Sequence, residues 1–137
     1  MTEWGAVITA LEAHWRSVNP DAPAGEQGWE RGLRPGESLL DAELPHAFAH
    51  NPAETTGEIE TGAQEEIALS VQIDTWTRGE TQEQAIARLD AFRERLRGDP
   101  TLGGLVDRVR VLTRSVVEFS GRPERAGLVI VATERVF

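Results

Sequence analysis

Between residues 65 and 104 a strand pattern stands directly before a helix pattern, and this order constrains the fold most. From Ile67 to Ile73, apolar residues occupy every second position, which is the period of a half-buried strand. From Thr81 to Arg97 they recur every three or four positions instead, and so form one stripe on a helix (Ala85, Ile86, Leu89, Phe92 and Leu96). A strand with one apolar face and a helix with one apolar stripe can bury both by packing together, so we expect a helix on a sheet.

The sequence also indicates where this helix begins and ends. Thr81 followed by Gln84 has the form of a capping box, in which each side chain binds a free backbone N–H of the first turn. At the other end, Gly98 stands where a C′ glycine ends a helix, and Asp99-Pro100 prevents continuation. We therefore predict one helix over Thr81–Arg97.

The remaining patterns complete an α+β domain. Helical spacing predicts an N-terminal helix over Thr2–Val18, and extended patterns predict strands over Val106–Phe119 and Leu128–Val136. His46–His50 is a candidate short strand between two prolines. We expect a single domain over residues 1–137, with an antiparallel sheet of about four strands and both helices packed on one face.

Two segments do not fit regular elements. Residues 20–45 form a long loop rich in proline and glycine, with Trp29 and Leu33 as large apolar anchors. These two side chains dock the loop either on the domain's own surface or on a neighbouring molecule. Residues 52–64 form an acidic hairpin arm, which we expect to be mobile unless something holds it.

Charge is distributed unevenly along the chain. The formal net charge is −9, and residues 1–66, with thirteen acidic residues and three arginines, account for −10. The remainder, with ten acidic residues and eleven arginines, is close to neutral. An acidic half repels phosphate backbones, so general nucleic-acid binding is disfavoured. The two unlike halves permit charge-matched self-association, although solubility alone is the alternative explanation.

Absent residue types exclude many enzyme mechanisms. The chain has no cysteine, lysine or tyrosine, which removes thiolate nucleophiles, Schiff bases and the lysine of a phosphate-binding loop. His46 and His50 would share a metal only on a helix, whereas in a strand they lie roughly 13 Å apart. His14 has no identifiable partner. We predict no enzymatic activity, no cofactor and no metal.

Two charged groups are candidate contact sites. The first contains Glu58, Glu60, Glu65 and Glu66. These carboxylates could act as acids or bases only if an apolar cleft raised their pKa values. The alternative is that they form a solvated acidic edge of the sheet. The second, which we call the arginine group, contains Arg108, Arg110 and Arg114. It could bind phosphate, face solvent or contact the acidic arm of a neighbouring subunit, and the acidic N-terminal half favours the last.

No segment has the roughly 20 apolar residues of a membrane helix, and the N-terminus lacks the basic start of a signal peptide. The sequence therefore predicts no membrane association and assembly in the cytoplasm.

The order of these elements resembles that of the tail terminator proteins of long-tailed bacteriophages and phage-like gene-transfer particles. The resemblance rests on the opening helix Trp4–Val18, the strand Ile67–Trp76 that runs into a tryptophan turn, and a helix ending in the motif 96–104 (LRGDPTLGG). Two closing strands, the last rich in valine and isoleucine, complete it. The resemblance covers about three quarters of the chain by pattern.

The resemblance implies a structural virion protein. Such a protein forms a ring, usually a hexamer, on the last ring of the tail tube and stops tube polymerisation. It then joins the tail to the head-completion (stopper) proteins at the head-proximal end, and DNA passes through without specific binding. In this interpretation Trp29, Leu33 and the two charged groups are candidate subunit or partner contacts.

Three other classes remain open from the sequence. One is another component of a phage-like particle, such as a head–tail connector. Another is a cellular interaction or ligand-binding α+β module, which a deep apolar pocket beside Trp29 and Trp76 would favour. The last is a hydrolase that uses the carboxylates, which would need Glu60, Glu65 or Glu66 buried in a cleft.

Overall fold

The computed structural model describes residues 2–25, 28–32, 45–58, 65–78, 80–118 and 124–136. Its two helices and five strands follow in the order α1 (Thr2–Val18), β1 (Trp29–Arg31), β2 (His46–Glu58), β3 (Glu65–Arg78), α2 (Gln82–Arg97), β4 (Arg108–Glu118) and β5 (Glu124–Val136). The predicted α+β class and the extents of both helices are confirmed.

The strands form one sheet in the order β1-β2-β3-β5-β4. Neighbours are antiparallel except β1, which runs parallel to β2. The expected sheet of about four antiparallel strands is thus not what the described residues form. The additional strand, β1, comes from the segment predicted as a loop, because three residues are too few to show a strand period.

Both helices contribute to one core with alternate residues of the sheet. In β3 the odd-numbered residues from Leu69 to Thr77 are buried, while the even-numbered ones are only partly buried. Side chains of α1, α2, β1, β2, β3, β4 and the turn after α2 meet in this core (Val7, Ile8, Leu11, Trp15, Trp29, Ala47, Ala49, Leu69, Val71, Ile73, Leu89, Phe92, Leu96, Leu102, Val106 and Val109). The indole N–H of Trp15 also donates to the hydroxyl of Thr75 (3.2 Å), which links α1 to the last, turn-proximal part of β3.

The start of α2 is as predicted, but two other details differ. Thr81 and Gln84 form both hydrogen bonds of the capping box. Ile86, predicted in the buried stripe, is 43% exposed. The face of α2 that the core covers contains Ala85, Leu89, Phe92 and Leu96 and does not extend to Ile86. Gly98 has φ −75°, so it ends the helix in the right-handed region and not in the left-handed one expected of a C′ glycine.

The left-handed residues come later, in the turn 99–106. Leu102, Gly103 and Gly104 have φ values of 48°, 68° and 93°. Leu102 is 2% exposed, so the burial of its side chain offsets a backbone conformation that costs a residue with a Cβ roughly 1–2 kcal/mol. The N–H of Val109 donates to the carbonyl of Pro100 (2.8 Å), which fixes the start of β4 against this turn.

Two register shifts lie at the same level of the sheet, one on each side of the regular β3–β5 ladder, and we call this level the crease. The register of β2 shifts between His50 and Ala53, opposite Val71 of β3. Val71 pairs with Val131 of β5, which pairs with Val111 of β4, and the register of β4 shifts between Val111 and Thr113. The sequence indicated a bulge near Thr113–Val116, and the structure has it slightly earlier. Two bulges at one level divide the sheet into an inner half, where β1 lies, and an outer half.

Candidate functional site

The outer half of the sheet has two strand edges to which no described strand is bonded. One is the outer edge of β4, the last strand in the sheet order, where the turn before the strand already binds the N–H of Val109 through the carbonyl of Pro100. The other is the free edge of β2 from Ala53 to Glu58, because β1 pairs only with Ala47, Phe48 and Ala49. Edges with unpaired N–H and C=O groups are templates for further pairing.

Of the acidic candidates, Glu58, Glu65 and Glu66 lie where the described pairing of β2 with β3 ends. Glu58 pairs directly with Glu65, and Gly57 pairs with Glu66. Like charges at opposite positions of an antiparallel ladder destabilise the pair. Strand β2 extends well beyond the predicted 46–50, and residues 53–58 of the predicted mobile arm are paired with β3. Residues 59–64, which include Glu60, lie outside the described residues.

The arginine group is divided by the crease. Arg108 and Arg110 are exposed at the start of β4, in the outer half, whereas Arg114 lies beyond the bulge. The register places Arg108 opposite Glu134 of β5. The sequence suggested a single row of three arginines. The extra residue at the bulge interrupts the alternation of strand faces between Arg110 and Arg114.

Of the two apolar anchors, Trp29 belongs to the core. It is 4% exposed, and its ring centroid lies 5.6 Å from that of Trp15. This corresponds to the first of the two alternatives, docking on the domain itself. Leu33 lies outside the described residues.

Each histidine of β2 has its own carboxylate. His46, fully buried, has its Nε2 3.1 Å from Oε1 of Glu30 on β1. His50 shares a 2.8 Å hydrogen bond with Asp74, which also accepts one from Gln72. Within the described ranges, no three histidine or acidic side chains are grouped as a metal site would need. Of the helices described, none is long and apolar enough to span a membrane.

One partly buried polar junction, centred on Arg88 of α2, was missed by sequence reasoning. Its guanidinium group donates to Oδ1 of Asn19 (2.6 Å), to Asp21 (3.1 Å) and to Glu80. Asn19 is 2% exposed and also donates to the carbonyl of Trp15 (2.8 Å), near the end of α1. The junction joins the end of α1 to the first half of α2, and helical periodicity carries no signal for such a contact.

The charges of this junction affect each other's titration. The hydrogen bond from Arg88 holds the pKa of Asp21 below its usual value, against the opposing effect of burial. Burial by itself would lower the pKa of Arg88, but the hydrogen bonds to Asp21 and Glu80 outweigh it and raise that pKa.

His14 also has a partner that the sequence did not reveal. Its Nε2 lies 2.8 Å from Oδ2 of Asp99, and the other carboxylate oxygen of Asp99 accepts from the N–H of Gly103 (3.0 Å). These two hydrogen bonds lower the pKa of Asp99. The pair connects α1 to the turn 99–106.

Concave surfaces among the described residues include a cavity and a groove. A cavity of about 410 Å³ beside β1 is lined by Glu12, Gly25, Trp29, Glu30 and Arg31. A groove of about 260 Å³ between α2 and β4 is lined by Gln82, Ile86, Leu89, Ser115 and Val116. The first lies next to Trp29, but three of these five lining residues are charged, so it is not the deep apolar pocket that a ligand-binding module was expected to have.

Comparisons with known proteins give a likeness in fold. No protein-family model matches the sequence, and no curated protein matches it. Among solved structures, the chain is similar to one from the virion of a native gene transfer agent (GTA) particle, with a TM-score of 0.53 and 9% sequence identity. The match covers 95% of this chain and 94% of that chain. At this identity the match is evidence for the fold alone, which is shared almost from end to end.

Proposed function

We propose that this chain is a structural protein of a phage-like virion or gene transfer particle and acts as its tail terminator. The observation that carries the proposal is the likeness in fold, over 95% of the chain, to a chain of a gene transfer agent virion. The order of the elements, which resembles that of tail terminators, independently supports the same class. In this role the protein forms a ring, most simply a hexamer, that caps the tail tube and stops its growth.

The proposed partners follow from that position. One face of the ring contacts the tail tube protein, and the other contacts the head-completion protein. DNA crosses the ring without specific binding, and the net charge of −9 per copy supports this because acidic walls do not attract a phosphate backbone. The acidic residues Glu58, Glu60, Glu65 and Glu66 and the arginine group are proposed contacts between subunits. No catalytic step is assigned to any residue.

Negative-stain imaging of the purified protein, alone and mixed with tail tubes from the same source, tests this proposal. We expect rings, or a cap at one end of tubes whose length stops increasing. Tubes that continue to grow and carry no cap at a large excess of the protein would refute the terminator role. A tail tube from an unrelated source serves as the control for non-specific adhesion.

A ligand-binding module is the second candidate, and one observation favours it. The cavity beside β1 includes Trp29, whose indole N–H is buried with no hydrogen-bond partner among the described residues. A buried donor of this kind is costly unless a ligand or a water molecule satisfies it. Screening for small molecules that raise the melting temperature and change tryptophan fluorescence tests this candidate. An absence of hits together with capped tubes would reject it.

A further inference from the structure

Strand β1 is the first strand in the sheet order, so among the described strands it is bonded on one side only, to β2. The carbonyl of Gly28 accepts from the N–H of Ala47 (2.9 Å), and the N–H of Gly32 donates to the carbonyl of Ala49 (2.8 Å). In a parallel ladder, every second residue of a strand bonds to the same neighbour. The even-numbered residues from 28 to 32 therefore direct their backbone groups towards β2.

The odd-numbered residues of β1, Trp29 and Arg31, direct their backbone N–H and C=O groups to the other side. Among the described residues, none is bonded to these outward groups. Such an edge is a template for one more strand, because a peptide that lies beside it can complete the hydrogen bonds. The edge is short, so it suits an extended segment of a few residues.

The cavity of about 410 Å³ lies along this outer edge. It is lined by all three residues of β1, by Glu12 of α1 and by Gly25. Successive side chains of a strand point to opposite faces, so a cavity that contacts three consecutive residues lies at the edge of the strand. Its volume is within the range of ligand sites, roughly 300–1,000 Å³, and leaves room for the side chains of an added segment.

Arg16 holds the wall of this cavity in place. Its guanidinium group donates to Glu12 (2.8 Å) and to the carbonyls of Pro23 (2.7 Å) and Gly25 (2.8 Å). One side chain thus binds both the helix residue and the loop residue that line the cavity. A site that is formed before its ligand arrives lowers the entropic cost of binding.

A buried polar group in the cavity lining lacks a partner. Trp29 is 4% exposed, and its indole N–H has no hydrogen-bond partner among the described residues. An unsatisfied buried donor is costly, and a carbonyl or amide oxygen that enters the cavity can act as its acceptor. This donor indicates a ligand that carries acceptors.

The charged side chains at the edge indicate the sequence of the segment. Glu30 lies on the face opposite to that of Trp29 and Arg31, and its side chain is 23% exposed. Opposite charges at facing positions of paired strands stabilise the pair, so a lysine or arginine should face Glu30. The guanidinium group of Arg31 donates to the hydroxyl of Thr9 (2.9 Å), a neutral partner. Together with the indole N–H, this charge favours acceptor side chains on both sides of the basic residue.

We propose that the outer edge of β1 binds an extended segment of a partner protein, which pairs with Trp29 and Arg31 and places a lysine or arginine opposite Glu30. Residues with acceptor side chains flank this basic residue and enter the cavity beside Trp29. The inference rests on the ligand-binding role proposed for that cavity and names its class of ligand. It does not depend on the terminator role.

The probe is the peptide VTNKNTV, acetylated and amidated at its ends, whose sequence reads the same in both directions and so fits either strand orientation. NMR titration of the nitrogen-15-labelled full chain follows the backbone N–H signals of Trp29 and Arg31 and the indole N–H of Trp29. We expect these signals to shift along one common saturation curve. The peptide VTNENTV should bind about tenfold more weakly, because its glutamate faces Glu30. VTNKNTV with N-methyl groups on its three central residues should not bind, because it lacks the donors.

The variant R31P removes the outward N–H of Arg31, and R31A is its matched control because both lose the guanidinium group. Neither substitution removes a bond to β2, since residue 31 faces away from that strand. We expect R31P to bind VTNKNTV about tenfold more weakly than R31A does. Melting temperatures check that both variants fold. In E30Q, VTNKNTV and VTNENTV should bind with nearly equal affinity.

Three results would overturn the proposal. The first is no shift at Trp29 and Arg31, the second is equal binding of the N-methylated peptide, and the third is a response confined to another edge such as Ala53–Glu58 of β2. If a small molecule binds at Trp29 while no peptide does, the docking of a segment is refuted and the ligand-binding role stands. If neither binds, both are refuted.

Discussion

Arg88 of α2 donates a 2.6 Å hydrogen bond to the side-chain oxygen of Asn19, the residue that follows α1. Asn19 in turn binds the carbonyl of Trp15, so one guanidinium group fixes the end of the first helix against the second. Since Asn19 is almost fully buried, removing its donor leaves an acceptor that water cannot reach.

We expect R88A to lower the free energy of unfolding by about 2–3 kcal/mol, because a buried acceptor and two carboxylates lose their partner. R88K should lose less, since an ammonium group keeps the charge but cannot serve three acceptors in the same geometry. Urea denaturation measures both variants, and R95A, at an exposed position on the same helix, is the control. An R88A variant as stable as R95A would contradict the role of the junction.

The buried bond from Trp15 to Thr75 gives a second prediction. T75V preserves the shape but removes the acceptor, so the indole N–H becomes an unsatisfied buried donor at a cost of about 1–3 kcal/mol. T75S keeps the hydroxyl and should retain more of the stability, despite the loss of a methyl group. Thermal unfolding of both variants provides the comparison, and a T75V variant more stable than T75S would refute the argument.

The left-handed backbone of Leu102 predicts that glycine is tolerated at this position at least as well as alanine. L102A loses most of a buried side chain and keeps the left-handed strain, at a cost of about 2–5 kcal/mol. L102G loses the side chain as well but relieves roughly 1–2 kcal/mol of strain. We therefore expect both variants to be destabilised, with L102G at least as stable as L102A by chemical denaturation. A clearly less stable L102G would show that the strain is not relieved.

Asp99 predicts a dependence of stability on pH. Its pKa is lowered below the ordinary 3.8 by the hydrogen bonds from His14 and Gly103. A carboxyl group whose pKa is lower in the folded state stabilises the fold above its unfolded pKa, and this contribution disappears as the pH falls through the folded pKa. The wild type should therefore exceed D99N in stability at pH 5, with the difference shrinking as the pH falls below about 4. A difference that does not change over this range would refute the assignment.

The proposed contact between subunits at the arginine group predicts a charge-specific defect in assembly. R108E/R110E should weaken self-association and the capping of tail tubes, because it replaces attraction by repulsion at the outer edge of β4. R95E/R97E changes the formal charge equally on α2 and should assemble like the wild type. Sedimentation at two salt concentrations measures the effect, with melting temperatures as the check on folding. Equal behaviour of the two variants would count against the arginine group as a contact.

Sequence patterns predicted the elements whose residues repeat. The alternation at Ile67–Ile73, the capping box at Thr81 and the stripe of α1 each extend over several residues, and each is present in the structure. Elements without a repeat were missed. Strand β1 has three residues and owes its position to the burial of Trp29 against Trp15, a contact that local sequence does not indicate.

The polar contacts between elements were the least predictable. His14 and Asp99 are 85 positions apart, and Arg88 and Asn19 are 69 apart, so no local pattern links them. The arginine group was identified from an alternation that the bulge interrupts. Strand pairing, which requires the fold, was needed to learn that Arg108 and Arg110 lie at the same level of the sheet as Thr55 and Ala53 of β2.

The bulge in β4 changes which alternate residues of the strand face the core. Val109 before it and Val116 after it both pack on the core, although they are an odd number of residues apart. Deleting Leu112 would make Val111 and Thr113 consecutive opposite Val131 and Ile130, so the ladder would become regular and Val116 would stay on the core face. The extra residue is therefore what allows odd-numbered residues before the bulge and even-numbered residues after it to face the core.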